Sequence, residues 1–426
     1  MDFNIPPELK SYLAEIDRFI ESEIKPLEQQ DDNIRFFDHR REWARTDFEN
    51  GGLPRAEWEA LLVEAARRAD RAGFWRFSAP EVYGGRNGSN LWMAVIREHL
   101  AAKGLGLHND LQNEHSIVGN FPFVAMFDHF ARPEQKTEFI FGGFEHTRRL
   151  AFGLTEPDHG SDATFMETTA VAQTRDGVAG FVITGEKMWA TGMHVATHLA
   201  TFARTGGKDG DATGITCFLV PADAPGLQVG EYMWTFNMPT DHPRVSLEKL
   251  WVPESAILGP LGKGLAVAQS FVHQNRIRQA ASSLGAAAFC VRESLRYARE
   301  RKPFGKALAV NQGIQFPLVE LATQIEMLRL LIYKTAWEMD DLPHQQIEHE
   351  ISDKVSMCNF WANRLVCEAA DTAMQVHGGI GYSRHKPFEH IYRHHRRYRI
   401  TEGSEEIQKR KVAAYLFGFA GPRRQN

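Results

Sequence analysis

The chain has 426 residues, of which 43% are hydrophobic and 24% are charged, and its formal net charge is −5. This length supports several domains, and this balance is typical of a soluble globular enzyme. The slight excess of acidic residues gives no general attraction to nucleic acid or to an anionic membrane surface. The basic run at 393–399 stands apart and is either a solvated face or a contact for a phosphate or a second subunit.

Residues 1–149 predict an N-terminal helical domain. Apolar residues recur at helical spacing in 9–16, in 56–62 and again in 92–96. Glycine- and asparagine-containing loops separate the second and third of these segments.

The sequence pattern changes in residues 150–255. Short runs rich in β-branched and aromatic residues are bounded there by glycine and proline. Examples are 181–185, 214–221 and 244–247. Many short strands with turn residues between them favour an antiparallel barrel or sandwich over a parallel sheet.

Residues 256–426 return to long helical patterns, at 265–301, 312–340 and 348–378. A run of small residues at 280–288 permits close approach of another helix. The fold class we predict is therefore mostly α with a central β-domain.

The four cysteines are scattered and form no CxxC pair, which argues against a disulfide framework or a zinc site, so we expect no metal. The N-terminus has no basic region followed by an apolar segment, and no apolar run approaches the roughly 20 residues of a membrane span. We expect a cytoplasmic protein with no membrane partner and no nucleic-acid partner.

Five short motifs follow one another along the chain, and each taken alone has an ordinary structural explanation. They are 152–163 (FGLTEPDHGSDA), 187–192 (KMWATG), 297–306 (YARERKPFGK), 375–382 (QVHGGIGY) and 401–408 (TEGSEEIQ). In this order they resemble the landmarks of the acyl-CoA dehydrogenase family. An extra length of N-terminal chain at 36–58 resembles the longer branch of that family, which is found fused to kinase-like domains. The resemblance implies an N-terminal helical domain, a middle antiparallel β-barrel and a C-terminal helical bundle, with FAD between the last two.

The resemblance also implies which residues hold FAD. Thr155 and Thr191 would bond the polar edge of the flavin, and Trp189 would pack against its ring, although an isolated tryptophan is more often a core residue. The full predicted set is Phe152, Leu154, Thr155, Gly160, Ser161, Trp189, Thr191, Arg301, Phe304, Gln312, Gln375, Gly378, Gly379, Ser404 and Glu406.

Arg301 lies where the family places a guanidinium on the FAD pyrophosphate, usually that of the neighbouring subunit. A planar, permanently charged group suits a diphosphate. Phe304 and Gln312 would complete this contact, which implies a homodimer or homotetramer.

Glu402 is the predicted general base. Desaturating an acyl-CoA thioester to a trans-2-enoyl-CoA removes an α-proton while hydride passes to flavin N5, and a carboxylate shielded from water is a better base near neutral pH. Ser161, Arg276 and Gly403 are the predicted substrate contacts. A glutamate that caps the last helix is the alternative for Glu402, and a salt-bridged arginine is the alternative for Arg276.

Several residues depart from the family pattern. Thr401 replaces an aromatic residue, Glu406 replaces a glutamine, and His273 replaces an acidic partner of Arg276. The stretch 107–116 is unusually polar, which indicates a polar, branched or ring-containing acyl group if it lines the acyl pocket; a surface loop is the other interpretation.

An electron-transfer flavoprotein is the expected electron acceptor. Three alternatives remain open at this point: an acyl-CoA oxidase or a flavin monooxygenase on the same fold, or a non-catalytic subunit of a hetero-oligomer. The presence of Glu402 argues against the monooxygenase and the non-catalytic subunit.

Overall fold

A computed structural model describes residues 4–109 and 116–420. The α-helices are α1 (Pro7–Phe19), α2 (Lys25–Gln29), α3 (Ala56–Arg71), α4 (Asn90–Ala101), α5 (Pro122–Phe130), α6 (Pro133–Lys136), α7 (Gly142–Phe144), α8 (Gly264–Gln269), α9 (Val272–Glu300), α10 (Gln312–Asp340), α11 (His344–Glu350), α12 (Ser352–His377), α13 (Gly379–Tyr382), α14 (Phe388–Arg396) and α15 (Glu405–Leu416). The strands are β1 (Thr46–Asp47), β2 (Leu53–Pro54), β3 (Leu150–Gly153), β4 (Thr169–Ala172), β5 (Gly180–Met188), β6 (His198–Arg204), β7 (Ile215–Pro221), β8 (Leu227–Tyr232), β9 (Pro243–Pro253) and β10 (Ile257–Leu258).

The predicted fold class is confirmed, because helices, strands and helices follow one another along the chain. Contacts group the chain into two compact units. The helical unit comprises Met1–Glu42, Ala60–Asn120 and His273–Asn426, and the β unit comprises Trp43–Glu59 and Phe121–Val272. The N-terminal and C-terminal helices thus share one unit, and the three consecutive domains stay a prediction.

The β unit contains an eight-stranded sheet in the order β10-β7-β6-β4-β5-β9-β8, with β3 paired to β6. Most neighbours are antiparallel, as predicted, but β3 and β4 both run parallel to β6. The long strand β9 shows the alternation of a half-buried strand: Val245, Leu247, Leu250 and Val252 are buried in the core of this unit.

The helical unit is built around α9, α10 and α12, whose apolar faces share one core. The small-residue run of α9 is buried, and a Cβ added to Gly285 would lie 2.3 Å from the carbonyl oxygen of Glu98 in α4. Only a residue without a side chain fits there, so the predicted close approach of a second helix is confirmed.

Helix α10 carries apolar residues on two opposite faces. One face holds Leu321, Ile325 and Leu328 in the core. The other face is an exposed stripe, which we call the α10 stripe, formed by Phe316, Val319, Met327, Leu330 and Trp337, each 53–61% exposed. A helix that is apolar on both sides is usually covered on both sides.

The four cysteines are free and buried. Within 4–109 and 116–420, no cluster of three or more histidine, cysteine, aspartate or glutamate side chains is arranged to hold a metal ion. Over the same residues, no helix combines the length and the apolar character needed to cross a membrane.

Candidate active site

Glu402 lies on a tight turn immediately before α15. Glu402 and Gly403 both have positive φ angles, 57° and 85°. Ser404 ends the turn by accepting a hydrogen bond at its Oγ from the Ile407 N–H (3.4 Å), and the helix begins at the next residue. Glu402 is therefore outside the helix, and the helix-cap role belongs to Ser404.

Two consecutive residues of α9 hold Glu402. Asn275 donates from Nδ2 to the Glu402 carboxylate at Oε1 (2.9 Å), and Arg276 donates from Nε to the Glu402 carbonyl oxygen (2.9 Å). Both side chains are buried, at 7% and 8% exposure. A Cβ at Gly403 would come within 2.7 Å of Arg276 Nη2, so a side chain at 403 would require the guanidinium to shift.

The carbonyl of Gly403 is also bound. Gln408 donates to it from Nε2 (2.8 Å) and donates to Asn359 Oδ1 (3.0 Å). Asn359 in turn donates to the backbone oxygen of Arg276 (2.9 Å). Both carbonyls of the turn are thus fixed from buried side chains, which makes the turn a rigid support for the Glu402 carboxylate.

The first residue of α15 is a buried carboxylate surrounded by cations. Glu405 accepts hydrogen bonds from Lys409 (2.7 Å), Arg399 (3.1 Å) and Arg364. Burial raises the pKa of Glu405, but these hydrogen bonds outweigh it and lower the pKa to about 2. The cluster fixes the N-terminal end of α15 next to the Glu402 turn.

Arg276, predicted to contact CoA, donates to the Glu402 carbonyl, so its contact with CoA stays a prediction. His273, which replaces the acidic partner of Arg276, is itself paired with an acid: its Nε2 lies 2.9 Å from Glu348 Oε2. Burial lowers the pKa of Arg276, and the neighbouring carboxylates of Glu402 and Glu348 counteract that effect.

A surface pocket of about 350 Å³ in the helical unit brings together three predicted cofactor residues, Arg301, Gly378 and Gly379. Its wall includes His377, whose ring stacks on Tyr297 with ring centroids 4.3 Å apart. Gly378 has φ +63°, and a Cβ at either glycine would meet no atom within 4 Å. Both glycines therefore face open space, and their backbone is accessible to a ligand.

Of the other predicted cofactor residues of the helical unit, Ser404 is half-buried and caps α15, and the rest are exposed. Phe304 has φ 53° and its side chain is fully exposed, Gln312 opens α10, and Gln375 lies in the last turn of α12. Glu406 is exposed on α15. Their contact with FAD stays a prediction.

In the β unit the first two motifs are joined by a backbone hydrogen bond from the Met188 N–H to the Thr155 oxygen (2.9 Å). Trp189 has φ 64° and is 45% exposed, so the alternative of a core tryptophan is wrong. Thr191 Oγ1 lies 3.1 Å from His242 Nδ1. Phe152 packs against Phe202, with ring centroids 4.9 Å apart.

A buried ion pair supports these two motifs. Glu156 accepts from Lys187 Nζ (2.7 Å) and from the backbone N–H groups of Glu167 (2.6 Å) and Thr168 (3.0 Å). The two side chains are 4% and 0% exposed. Burial lowers the pKa of Lys187 to about 8, although Glu156 counteracts it. Away from this ion pair the first motif, 152–163, approaches the surface: Leu154 is half-buried, and Gly160 and Ser161 are exposed.

The polar stretch 107–116 is described only at its ends, because residues 110–115 lie outside the described residues. Leu107, His108, Asn109 and Ser116 are all buried. These four positions are not on the surface, and the acyl-pocket interpretation of the stretch stays a prediction.

Each unit contains groups that fit part of a flavin dinucleotide. In the helical unit, Arg301 and the two glycines of its pocket suit a diphosphate, which needs a guanidinium and closely approaching backbone. In the β unit, the exposed indole of Trp189 and the hydroxyl of Thr191 suit a planar ring with a polar edge.

Fold and site together define an FAD-dependent oxidoreductase, and the comparison with protein families agrees. Residues 151–249 match the family model described as "Acyl-CoA dehydrogenase, middle domain", and residues 262–417 match "Acyl-CoA dehydrogenase, C-terminal domain". The chain belongs to the acyl-CoA dehydrogenase family, and its cofactor is FAD.

Relatives cover more than four fifths of the chain. It is 32% identical to the 3-(aryl)acrylate reductase of Clostridium sporogenes, over 83% of this chain and 90% of the relative. It is 29% identical to the caffeyl-CoA reductase-Etf complex subunit CarC of Acetobacterium woodii, over 81% and 87%. The butyryl-CoA dehydrogenase structure from Megasphaera elsdenii superimposes with a TM-score of 0.78 at 26% identity, over 98% of this chain and 100% of that one.

The structure also reveals supporting residues to which the sequence analysis assigned no role. Asn275, Asn359 and Glu405 support the Glu402 turn, and Glu156 and Lys187 support the first two motifs. Glu156, Lys187 and Glu405 lie inside motifs, so the sequence did carry a signal for them. Asn275 and Asn359 lie in ordinary helical patterns and carry none.

Proposed function

We propose that this protein oxidises an acyl-CoA thioester to a trans-2-enoyl-CoA, with Glu402 removing the α-proton. The observation that carries the proposal is the Glu402 turn: a carboxylate on a left-handed residue whose carbonyl is bound by Arg276 and whose carboxylate is bound by Asn275. Rigid placement of a base is what proton abstraction from a weak carbon acid requires.

The chain's own groups have distinct roles in this reaction. Glu402 takes the proton, and its backbone N–H donates to the thioester oxygen, where negative charge develops. FAD would supply the hydride acceptor, at N5. Trp189 and Thr191 would orient its ring, and Arg301 would bind the diphosphate.

The first prediction concerns Glu402→Gln. Glutamine keeps the size of the side chain but is not a base, so the FAD-loaded variant is expected to fold, remain yellow and reduce its flavin at least about a hundredfold more slowly. The measurement is single-turnover flavin bleaching with a panel of acyl-CoAs that includes straight-chain and aryl-substituted members.

The matched control is Glu368→Gln, which makes the same change at an exposed glutamate on α12, away from every predicted site residue. It is expected to bleach at close to the wild-type rate. Bleaching of Glu402→Gln at close to the wild-type rate would mean that the base lies elsewhere.

The electron acceptor we propose is an electron-transfer flavoprotein, supported by the relative that is named as a subunit of a reductase-Etf complex. An acyl-CoA oxidase would consume oxygen with substrate and no added acceptor, and oxygen-electrode traces distinguish the two. A preparation that is yellow and bleached by substrate excludes a non-catalytic subunit.

Reduction of an enoyl thioester is the second candidate, because two of the relatives are named as reductases of an aryl acrylate and of caffeyl-CoA. The same residues serve both directions, with Glu402 returning the proton to the α-carbon. Reoxidation of the dithionite-reduced flavin by cinnamoyl-CoA tests this direction, and its rate relative to crotonyl-CoA tests the preference for a ring-containing acyl group.

We further propose a cytoplasmic homodimer or homotetramer. The α10 stripe supports an oligomer, since it exposes five large apolar side chains on the side of α10 opposite the core. The full exposure of Phe304 next to the Arg301 pocket also supports it, because a second subunit would cover that ring.

A further inference from the structure

An uninterrupted chain of hydrogen bonds in the helical unit ends on Glu402. Arg278 donates from Nη1 to Asn120 Oδ1 (2.6 Å), and Asn120 donates from Nδ2 to Asn275 Oδ1 (2.7 Å). Asn275 then donates from Nδ2 to Glu402 Oε1 (2.9 Å). Arg278 and Asn275 are 4% and 7% exposed, so the chain is largely shielded from water.

The chemistry of its first member fixes the direction of the whole chain. A guanidinium has donors and no acceptor, so Asn120 must turn its oxygen toward Arg278 and its NH2 group toward Asn275. Asn275 must then accept with its oxygen and present its own NH2 group to Glu402. The orientation of both amides, which an isolated asparagine leaves ambiguous, is thus set by the arginine.

We propose that Asn275, oriented by Asn120 and Arg278, is a positioning residue that holds the Glu402 carboxylate through Oε1 and favours its ionised form. The inference rests on the proposed role of Glu402 as the base. An N–H donor stabilises a carboxylate more than a carboxylic acid, and here the donor cannot turn away.

Other ionisable groups around this chain are paired separately. On α9, Arg276 binds the Glu402 carbonyl and His273 pairs with Glu348. On α15, Glu405 is bound by its three cations. The segment 116–120 contributes no ionisable side chain. A change at Asn275 therefore alters the contacts of Glu402 and leaves these pairs in place.

The test is an infrared pH titration of the FAD-loaded protein, which follows the protonated-carboxyl band that Glu402→Gln removes. Asn275→Leu has the same shape without a donor, and the midpoint of Glu402 protonation is expected to rise by about one pH unit. Asn120→Leu and Arg278→Met remove the contacts that orient Asn275. Each should raise the midpoint of Glu402 protonation as well, by less than Asn275→Leu does. Arg278→Lys keeps a charged donor and should restore the wild-type midpoint.

Gln274→Leu is the matched control, because it also replaces a side-chain amide by leucine, one residue earlier on α9. It should leave the midpoint of Glu402 protonation unchanged. A wild-type midpoint in Asn275→Leu would overturn the proposal. If that variant does not fold, wild-type midpoints in both Asn120→Leu and Arg278→Met overturn it instead. Because the readout is protonation, a base located elsewhere would appear as normal bleaching in Glu402→Gln, independently of this result.

Discussion

At the residue scale, several residues of the candidate site have positive φ angles, a backbone conformation that residues other than glycine rarely adopt. Nine non-glycine residues among those described have positive φ, and three of them are Trp189, Phe304 and Glu402. Most of the others are aspartate, asparagine or histidine, which adopt this region most readily. Bulky residues in it cost about 1–3 kcal/mol and persist only where their surroundings hold them.

These conformations show where prediction from the sequence stops. The motifs identify Trp189 and Glu402 by residue type and order, but they do not specify φ. Nor does the sequence pair Asn120 with Asn275, because the two are 155 positions apart and each lies in an ordinary polar context. Such pairs depend on how helices and loops pack, which periodicity does not encode.

A prediction at the same scale concerns the buried pair of Glu156 and Lys187. Lys187→Met leaves the Glu156 carboxylate buried without its cation, so we expect the free energy of unfolding to fall by about 3–5 kcal/mol. Urea unfolding followed by circular dichroism measures it.

The double variant Glu156→Gln/Lys187→Met removes both charges and keeps one acceptor for the backbone N–H groups of Glu167 and Thr168. It is expected to recover part of the lost stability. A single variant as stable as the wild type would show that the ion pair contributes nothing.

At the scale of elements, helices were predicted well where the apolar pattern is continuous. The prediction of 312–340 coincides with α10, Gln312–Asp340. The helix predicted at 265–301 is instead divided into α8 and α9, and the one at 348–378 into α11 and α12. Neither break contains glycine or proline, so tertiary packing rather than local propensity places them.

The prediction at this scale concerns the start of α15. The folded pKa of Glu405, about 2, lies below its unfolded value. Its ionisation therefore stabilises the fold fully above the unfolded value, and this contribution is lost as pH falls toward 2. Glu405→Gln is expected to lower the free energy of unfolding by about 2 kcal/mol at pH 7, and by progressively less between about pH 5 and pH 3.

Urea unfolding across this pH range checks the expectation, with Glu406→Gln as the control at the exposed neighbouring position. A difference between Glu405→Gln and the wild type that stays constant with pH would contradict it, because a loss of packing alone does not titrate.

At the scale of the whole molecule, the α10 stripe predicts self-association. A double variant, Met327→Glu/Leu330→Glu, places two charges on this surface without touching the opposite core face. Light scattering after size exclusion is expected to give two or four times 48.2 kDa for the wild type and a smaller assembly for the variant.

Val82→Glu serves as the control, because Val82 is 76% exposed and lies outside the α10 stripe. It should assemble as the wild type does. An unchanged mass for the double variant would remove the α10 stripe from the interface.

The hydrogen bond from Arg276 to the carbonyl of residue 402 has a consequence for how the sequence can change in evolution. Every amino acid has the same backbone oxygen, so this hydrogen bond does not depend on which side chain is at position 402. A substitution that removed the carboxylate would therefore leave this contact of the turn in place. Loss of the proposed base and loss of the turn are thus separate events.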